Sequence, residues 1–521
     1  MKFSSLIALL LITFFAFAQK KPDANWQILD PKTDKIYGAA TEKALEALKG
    51  RTSKEVIVGV IDSGVEVDHE DLKDVIWVNK GEIPNNGIDD DKNGYIDDIN
   101  GWSFLGGKTQ DINYEALELA RLNLRYNRKF AKLDTNNLKG DDAKLFDQYK
   151  RIRSDFNKEQ AKQEQQAAGI GMMDSFIKRV KKENNGDFSK AAVKSYSPKD
   201  KQDSAVKKQM KLILSFINAK ELDEQISGAA ASIVNVAKLN RLNTDSIRAL
   251  IVGDNPADPS ERYYGCNRVE GPDALHGTHV SGIIAAMRNN NKGIIGEAPN
   301  VKIMAIRAVP NGDERDKDVA NGIRYAVDNG ASIINMSFGK YYYSDKALVD
   351  EAIKYAMSKD VLLVHAAGND SKNKDIENSY PTRILSDGTI ASNWLEVGAS
   401  ASKKGKKLLG SFSNYGKTTV DLFAPGVDIY STVPDNKYLH ESGTSMASPA
   451  AAGVAAIIRG YFPELTAKEV KEVLMKTSIQ YTKKVRIPGT KKQKAKLSDL
   501  CISGGLINAE NAVKYLLAGK K

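Results

Sequence analysis

Residues 55–62 read Glu55-Val-Ile-Val-Gly-Val-Ile-Asp62, an almost unbroken β-branched run that ends in an acid and is followed by Ser63-Gly64. A strand without polar alternation is buried on both faces, the condition of a parallel strand inside a sheet covered by helices. Similar runs follow at 302–309, 332–336, 361–366, 395–399 and 419–422, with helical spacing between them at 276–287, 317–329, 344–358 and 445–461. Strands alternating with helices predict an α/β fold, a doubly wound and mostly parallel sheet whose polar chemistry collects at the carboxyl ends of the strands.

Between the first run and the second the pattern stops. Of fifteen prolines only Pro198 falls between Pro84 and Pro256, and the stretch is rich in Ala, Lys, Glu, Gln, Leu and Asn. This predicts an α-helical insertion over 107–253, with helices near 113–138, 141–168, 173–182, 201–225 and 226–241, broken at Gly140, Gly169-Ile-Gly171 and Asn184-Asn-Gly186. Its weakly apolar interior suggests that part of it projects as a mobile hairpin. The flanking segments 24–106 and 254–517 then form the α/β domain, with no internal repeat. At 521 residues and 41% hydrophobic composition the chain can bury a sizeable core, which excludes a small scaffold or a disordered chain.

The first eighteen residues have a different character. Met1-Lys2 is a short positive start, Leu6 to Phe15 is an apolar run too short to span a bilayer, and Ala16-Phe17-Ala18 is a small-x-small cleavage site before Gln19. Residues 1–18 read as a signal peptide, so the protein is expected to be exported, to a periplasm or outside the cell. No cysteine follows the cut to carry a lipid, and no later stretch reaches the roughly 18 apolar residues of a membrane span.

A nucleophilic serine needs a base to take its proton, an acid to orient the base, and donors for the oxyanion. Candidates for each stand at strand ends or helix starts. Asp62 ends the first strand, His276 opens a helix in His276-Gly-Thr-His-Val-Ser-Gly282, Asn369 follows the strand in Val361-Leu-Leu-Val-His-Ala-Ala-Gly-Asn369, and Ser445 opens a helix in Gly443-Thr-Ser-Met-Ala-Ser-Pro449. A helix N-terminus favours developing negative charge through its dipole and free N–H groups.

With these motifs in the order Asp, His, Ser, the chain resembles the subtilases, the subtilisin-like serine proteases. The resemblance covers about 24–106 and 254–517. It implies a serine endopeptidase in which Ser445 attacks the peptide carbonyl, His276 relays the proton, Asp62 fixes the imidazole tautomer, and Asn369 with the Ser445 N–H holds the oxyanion. It further implies that Asn335-Met-Ser-Phe-Gly339 pairs with protein or peptide substrates through the backbone of Ser337 and Gly339, and that Ala366-Ala-Gly368 walls a roomy specificity pocket, with Gly368 in contact with substrate. His279 lies three residues from His276, but no Glu or third ligand accompanies it, so zinc is not expected. His69, His365 and His440 read as packing or capping residues.

A second constellation is Asn85-Asn-Gly-Ile-Asp-Asp-Asp-Lys-Asn-Gly-Tyr-Ile-Asp-Asp98. Asp89, Asp91 and Asn93 with Gly94 fit the first half of a calcium loop, continued by the Tyr95 carbonyl and Asp97. The twelfth position is Asn100 rather than Glu and no helix pair flanks it, so a free-standing loop that binds structural Ca2+ is expected. The resemblance adds a weaker calcium site, Asp71 with Asn290 of the 289–291 loop. Only about 36 residues separate Gln19 from the first strand, too few for a typical inhibitory prodomain, which leaves the control of activity open. Whether Cys266 and Cys501 pair is likewise open.

The formal charge of +10 is a sum of opposing regions. Residues 108–253 hold 28 basic and 19 acidic groups, residues 62–98 hold 3 basic and 12 acidic, and 483–496 hold seven basic and no acidic groups. A polyanion binder is the rival reading of the basic insertion, but its charges alternate in sign and lack interleaved aromatics, so no nucleic-acid partner is expected. A non-catalytic binding protein on the same scaffold would have lost a member of the triad, and none is lost. A monomer is expected.

Overall fold

The computed structural model describes residues 23–215 and 218–519, so the leader expected at 1–18 lies outside the described residues. Contacts divide the chain into two compact units, one of residues 114–244 and one formed by 23–113 together with 245–519.

In the larger unit the run at 55–62 forms the strand β1, Val56–Asp62, and all but Ile57 are buried. The remaining strands of the central sheet are β2 (Gly101–Ser103), β3 (Val301–Arg307), β4 (Ile333–Met336), β5 (Leu362–Ala366), β6 (Trp394–Ser400) and β7 (Leu422–Pro425). Two strands form a separate hairpin, β8 (Ile429–Val433) and β9 (Lys437–Glu441). β10 (Ile479–Gln480), the short pair β11 (Val485–Arg486) and β12 (Lys494–Ala495), and β13 (Gly505–Leu506) complete the set. The nine-stranded sheet runs β10-β13-β7-β6-β5-β4-β1-β3-β2, with β10 antiparallel to β13 and the other pairs parallel. The expected doubly wound α/β fold is what forms; the run placed at 419–422 is strand only from Leu422 onward.

β1 shows why the run must be apolar throughout. It sits between β3 (Val58 opposite Ile303) and β4 (Val58 opposite Ile333). Val56, Val58 and Val60 belong to one core, with Val280 and Ile284 of the helix Leu275–Ala285 and Val454 and Ile458 of the helix Thr444–Tyr461. Ile61 belongs to the other, with Ile323 of Asp316–Asp328 and Ile353 of Lys346–Ser358. Because the strands are parallel, β1, β3, β4 and β5 deliver their next residues to one edge.

The unit of residues 114–244 is helical: Glu118–Phe130, Gly140–Glu183, Lys190–Ser195, Lys201–Ile213 and Ala219–Leu239. The break expected at Gly169-Ile-Gly171 does not occur, and one 44-residue helix runs through it. Ile170, Met173, Phe176, Ile177 and Val180 lie on one stripe, buried with Phe188, Val193, Met210 and Leu222. That burial outweighs the roughly 1 kcal/mol a glycine costs a helix. The expected helix 201–225 is instead two, because Asn218 caps a fresh start by accepting from Glu221 N at 2.8 Å. The low apolar content thus conceals a core of its own.

Thr244–Ile251 leads back into the α/β unit, and its Arg248 is fully buried. Arg248 donates bidentately to Asp318 (2.7 and 2.8 Å) and to Asp254 (2.9 Å). Removing the guanidinium leaves buried carboxylates underpaired, so Arg248→Ala is expected to cost about 3–5 kcal/mol in urea unfolding; a loss below about 1 kcal/mol, the scale of an exposed pair, would contradict this.

Candidate active site and cation cluster

Asp62 and His276 are 214 residues apart in sequence, and the fold brings His276 Nδ1 to 2.7 Å from Asp62 Oδ1. Asp62 is buried at the end of β1, while the imidazole keeps a 39% exposed side chain. Burial works against a charged His276, but the Asp62 charge and hydrogen bond outweigh it and hold the imidazole above its ordinary value. The two approach closely because Gly277 lacks a side chain: a Cβ there would fall 2.1 Å from Gly64 O. The strand after Asp62 is pinned by buried Arg307, whose Nε donates to Ser63 O at 3.0 Å.

Ser445 is the second residue of the helix Thr444–Tyr461. Its Oγ donates to Ser337 O, just past β4, at 3.1 Å, rather than to His276. Ser337 Oγ in turn donates to Ser445 O at 3.0 Å. Asn369, beyond β5, has its amide oxygen committed to Thr444, accepting from Thr444 N at 2.8 Å and Thr444 Oγ1 at 3.0 Å. This orients Nδ2 the other way. A Cβ on Gly443 would lie 3.4 Å from Asn369 Nδ2 and 3.5 Å from Ser445 N, so both donors flank one spot. Thr444, overlooked in the sequence, also accepts from Gly368 N through Oγ1 at 2.9 Å; a hydroxyl beside Ser445 was the available signal. Gly339 and Asn369 are exposed at this edge.

Three other histidines each lie beside a backbone carbonyl. His279 is buried, its Nε2 is 3.2 Å from Leu439 O, and burial pushes it down to about 3. His69 Nε2 is 3.2 Å from Lys437 O, and His440 Nδ1 is 3.4 Å from Asp428 O. Cys266 and Cys501 are both free thiols.

In the acidic loop Asp91 of the expected set lies beside two further carboxylates. Asp89 accepts from Asn93 N and Gly94 N, Asp97 from Asn86 N and Gly87 N, and Glu82 from Asp91 N and Asp97 N. Asn93 Oδ1 accepts from Tyr95 N. The carboxylates that converge are Glu82, Asp91 and Asp98, with one ligand atom each within 4.8 Å of the others. Asp98 also accepts from Tyr325 Oη at 2.6 Å and Asn79 Nδ2 at 2.7 Å. Burial pushes its carboxyl up to about 6 despite these donors, and Asp91 adds repulsion. Three oxygen donors sharing one negative pocket suit a hard cation. At the weaker site Asn290 Nδ2 donates to Asp71 Oδ1 at 2.6 Å. Asp71 Oδ2 is buried without a hydrogen-bond partner, as is Oε1 of Gln27, whose Nε2 donates to Ile295 O at the end of the same loop. Gln27 carried no motif in the sequence.

Comparison with known proteins yields one family. The family model described as the subtilase family matches residues 53–504. A thermophilic serine proteinase of Bacillus sp. (strain AK1) is 42% identical over 184 residues, 35% of this chain and 42% of that protein. Subtilisin DY of Bacillus licheniformis is 39% identical over 206 residues, 39% of this chain and 70% of that protein. Thermitase of Thermoactinomyces vulgaris is 36% identical over 241 residues, 46% and 75% of the respective chains. The chain thus spans less than half the length of the Bacillus sp. relative.

The raised Asp98 carboxyl has a defined consequence. The folded protein binds this proton more tightly than an unfolded chain with an ordinary value near 4, so the group's support for folding is present below about pH 4 and is lost as pH rises through about 6. In chelator, Asp98→Asn is expected to gain melting temperature relative to wild type as pH rises from about 4 to about 6; a difference that does not change with pH would refute the assignment.

Proposed function

The chain belongs to the subtilase family, and from that premise we propose that it is an exported serine endopeptidase acting through Ser445, His276 and Asp62. The observation that carries this reading is the 2.7 Å bond between His276 Nδ1 and buried Asp62 at the strand-end edge where Ser445 opens its helix. With Nδ1 donating to Asp62, Nε2 is left as the basic nitrogen. A peptide adding as a strand along Ser337–Gly339 offers its own N–H to the Ser337 carbonyl. That releases the Ser445 hydroxyl to turn toward His276, which takes its proton as Oγ attacks. The charge on the former carbonyl oxygen falls between Asn369 Nδ2 and Ser445 N, and His276 returns the proton to the leaving amine. Water then repeats the sequence on the acyl-enzyme.

Export is part of the proposal and rests on the leader at 1–18; no helix among the described residues is long and apolar enough to cross a membrane. Structural calcium is also proposed, held by Glu82, Asp91 and Asp98 in the loop that carries Asp89, Asn93, Tyr95 and Asp97, with Asp71, Gln27 and Asn290 as a second set. A bound cation would offset the carboxylate repulsion at the first and pair the buried, unpartnered Asp71 Oδ2 and Gln27 Oε1 at the second. The helical unit is proposed as an insertion within the peptidase domain.

Ser445→Ala is expected to abolish casein hydrolysis without shifting the melting temperature, and Asn369→Leu to lower kcat by about 10²–10³-fold, the scale established for such donors in subtilisin. Substantial hydrolysis by Ser445→Ala would sink the reading. Gly443 has extended backbone (φ 177°), so alanine fits there without strain. Gly443→Ala is expected to cost about tenfold or more in kcat at unchanged stability, because its methyl crowds the spot between the two donors; a fully active variant would contradict their placement.

A further inference from the structure

The seven basic side chains between 483 and 496 take no part in the proposed mechanism, and no acid stands among them. In that stretch β11 and β12 pair antiparallel, Val485 opposite Ala495 and Arg486 opposite Lys494. Val485 is fully buried with Leu408, Leu497 and Leu500. Side chains alternate along a strand, so with Val485 turned inward Arg486 and Lys494 share the other face, and Lys484 and Lys496 follow on it. Lys484, Lys494 and Lys496 are exposed. Against β11 lies the turn 403–407, which adds four lysines and is tied to the hairpin by Gly405 N donating to Tyr481 Oη at 2.8 Å. Burial and the neighbouring Lys407 charge push the Lys403 ammonium below its ordinary value.

Like charges directly opposite one another on paired strands are destabilising. Among the described residues Lys484, Arg486 and Lys494 form no ion pair that would relieve this, and the next acid along the chain, Asp499, accepts from Lys496 N at 3.2 Å. A local rule broken without compensation inside the chain points to an anion supplied from outside it. The face also stands at the catalytic edge. β6 is parallel to β5 and ends at Ser400, so 401–407 leaves the sheet on the side where β5 delivers Asn369. Beyond β11, Gly489 N donates at 2.9 Å to Ser411 O, the same carbonyl that accepts from Ser371 Oγ at 2.9 Å, and Ser371 is two residues past Asn369.

A surface for single-stranded nucleic acid or a bilayer sets exposed aromatic or aliphatic side chains among its cations. No large apolar residue of 401–407 or 481–496 is exposed, and Tyr481 packs edge-on against Tyr37. We infer that the hairpin 483–496 and the turn 403–407 form an exosite for a run of Asp or Glu in the protein substrate, outside the segment laid along Ser337–Gly339. Its fixed positive charge speeds encounter and holds acidic chains near the cleft, leaving the chemical step unchanged. The inference rests on the reading of Ser445 as nucleophile only for the fate of the captured chain.

The test uses the full mature chain and fluorescent peptides that share one cleavable core, flanked on either side by a short run of Glu or of Ser, with active enzyme counted by fluorophosphonate titration. At low ionic strength the better Glu-flanked peptide is expected to exceed its Ser-flanked counterpart in kcat/KM by about tenfold or more, through KM, and the advantage to vanish near 1 M salt. Lys494→Glu sets a carboxylate opposite Arg486; it is expected to erase the advantage, to raise the melting temperature, and to leave the Ser-flanked peptides unaffected. Should that variant not fold, Arg486→Gln reads the same ratio and is expected to lower it severalfold. Equal cleavage of Glu- and Ser-flanked peptides at low ionic strength overturns the inference, as does an advantage indifferent to both variants. Phosphatidylglycerol vesicles or a DNA oligonucleotide bound more tightly than the Glu-flanked peptide, and released by Lys494→Glu, overturn it by assigning the face to a membrane or to nucleic acid. Wild type that takes no fluorophosphonate fails the peptidase reading instead. Fluorescence anisotropy of the Glu-flanked peptide then decides the inference: binding that Lys494→Glu weakens supports it, and no binding overturns it.

Discussion

A parallel strand buried on both faces that ends in a carboxylate is the constraint on which the rest of the structure depends. β1 has neighbours on either side and helices on both faces, so none of its positions can be polar until the chain leaves the sheet at Asp62. The parallel strands beside it end at the same edge, which is why Arg307, Ser337 and Asn369 are delivered to the edge that carries Asp62 although they come from distant parts of the sequence. The helix bearing His276 reaches this edge only because Gly277 has no side chain to strike Gly64. A larger residue there would displace the base from the acid before it displaced anything else.

Much of this was legible in the sequence, because each part announces itself locally. A β-branched run, a glycine after it and a polar residue at the next helix start are signals within a few residues, and they marked Asp62, His276, Asn369 and Ser445 as candidates. What the sequence concealed is what depends on distant or competing partners. The spacing of Asp89, Asp91 and Asn93 marks the loop, but it does not reveal that Glu82 and Asp98, outside the alternating pattern, converge with Asp91. Gly169 and Gly171 suggested a helix break, yet the apolar stripe from Ile170 to Val180 carries the helix through. Lys374, Glu396 and His365 are separated by 9 to 31 residues and meet in one buried hydrogen-bonded set only when β5 and β6 lie side by side.

The distribution of charge acquires a physical sense in this light. The acidic stretch 62–98 holds a carboxylate cluster in which burial, with a smaller push from Asp91, raises Asp98. The excess positive charge of 108–253 lies largely on the exposed flanks of helices whose inner stripe is apolar, with many lysines paired three or four residues from an acid, as Lys144 with Asp141 and Lys178 with Asp174. Such pairs contribute little stability each and solubilise the surface.

The central claim is that Ser445 is activated by His276 held on Asp62. The most direct measurement is mass spectrometry of the protein after reaction with a fluorophosphonate, with the adduct mapped to a residue and its rate of formation compared in wild type, His276→Ala and Asp62→Asn. The account predicts a single adduct on Ser445, formed orders of magnitude more slowly in both variants while they remain folded. An adduct elsewhere, or labelling of Ser445 at the same rate without His276, would contradict it.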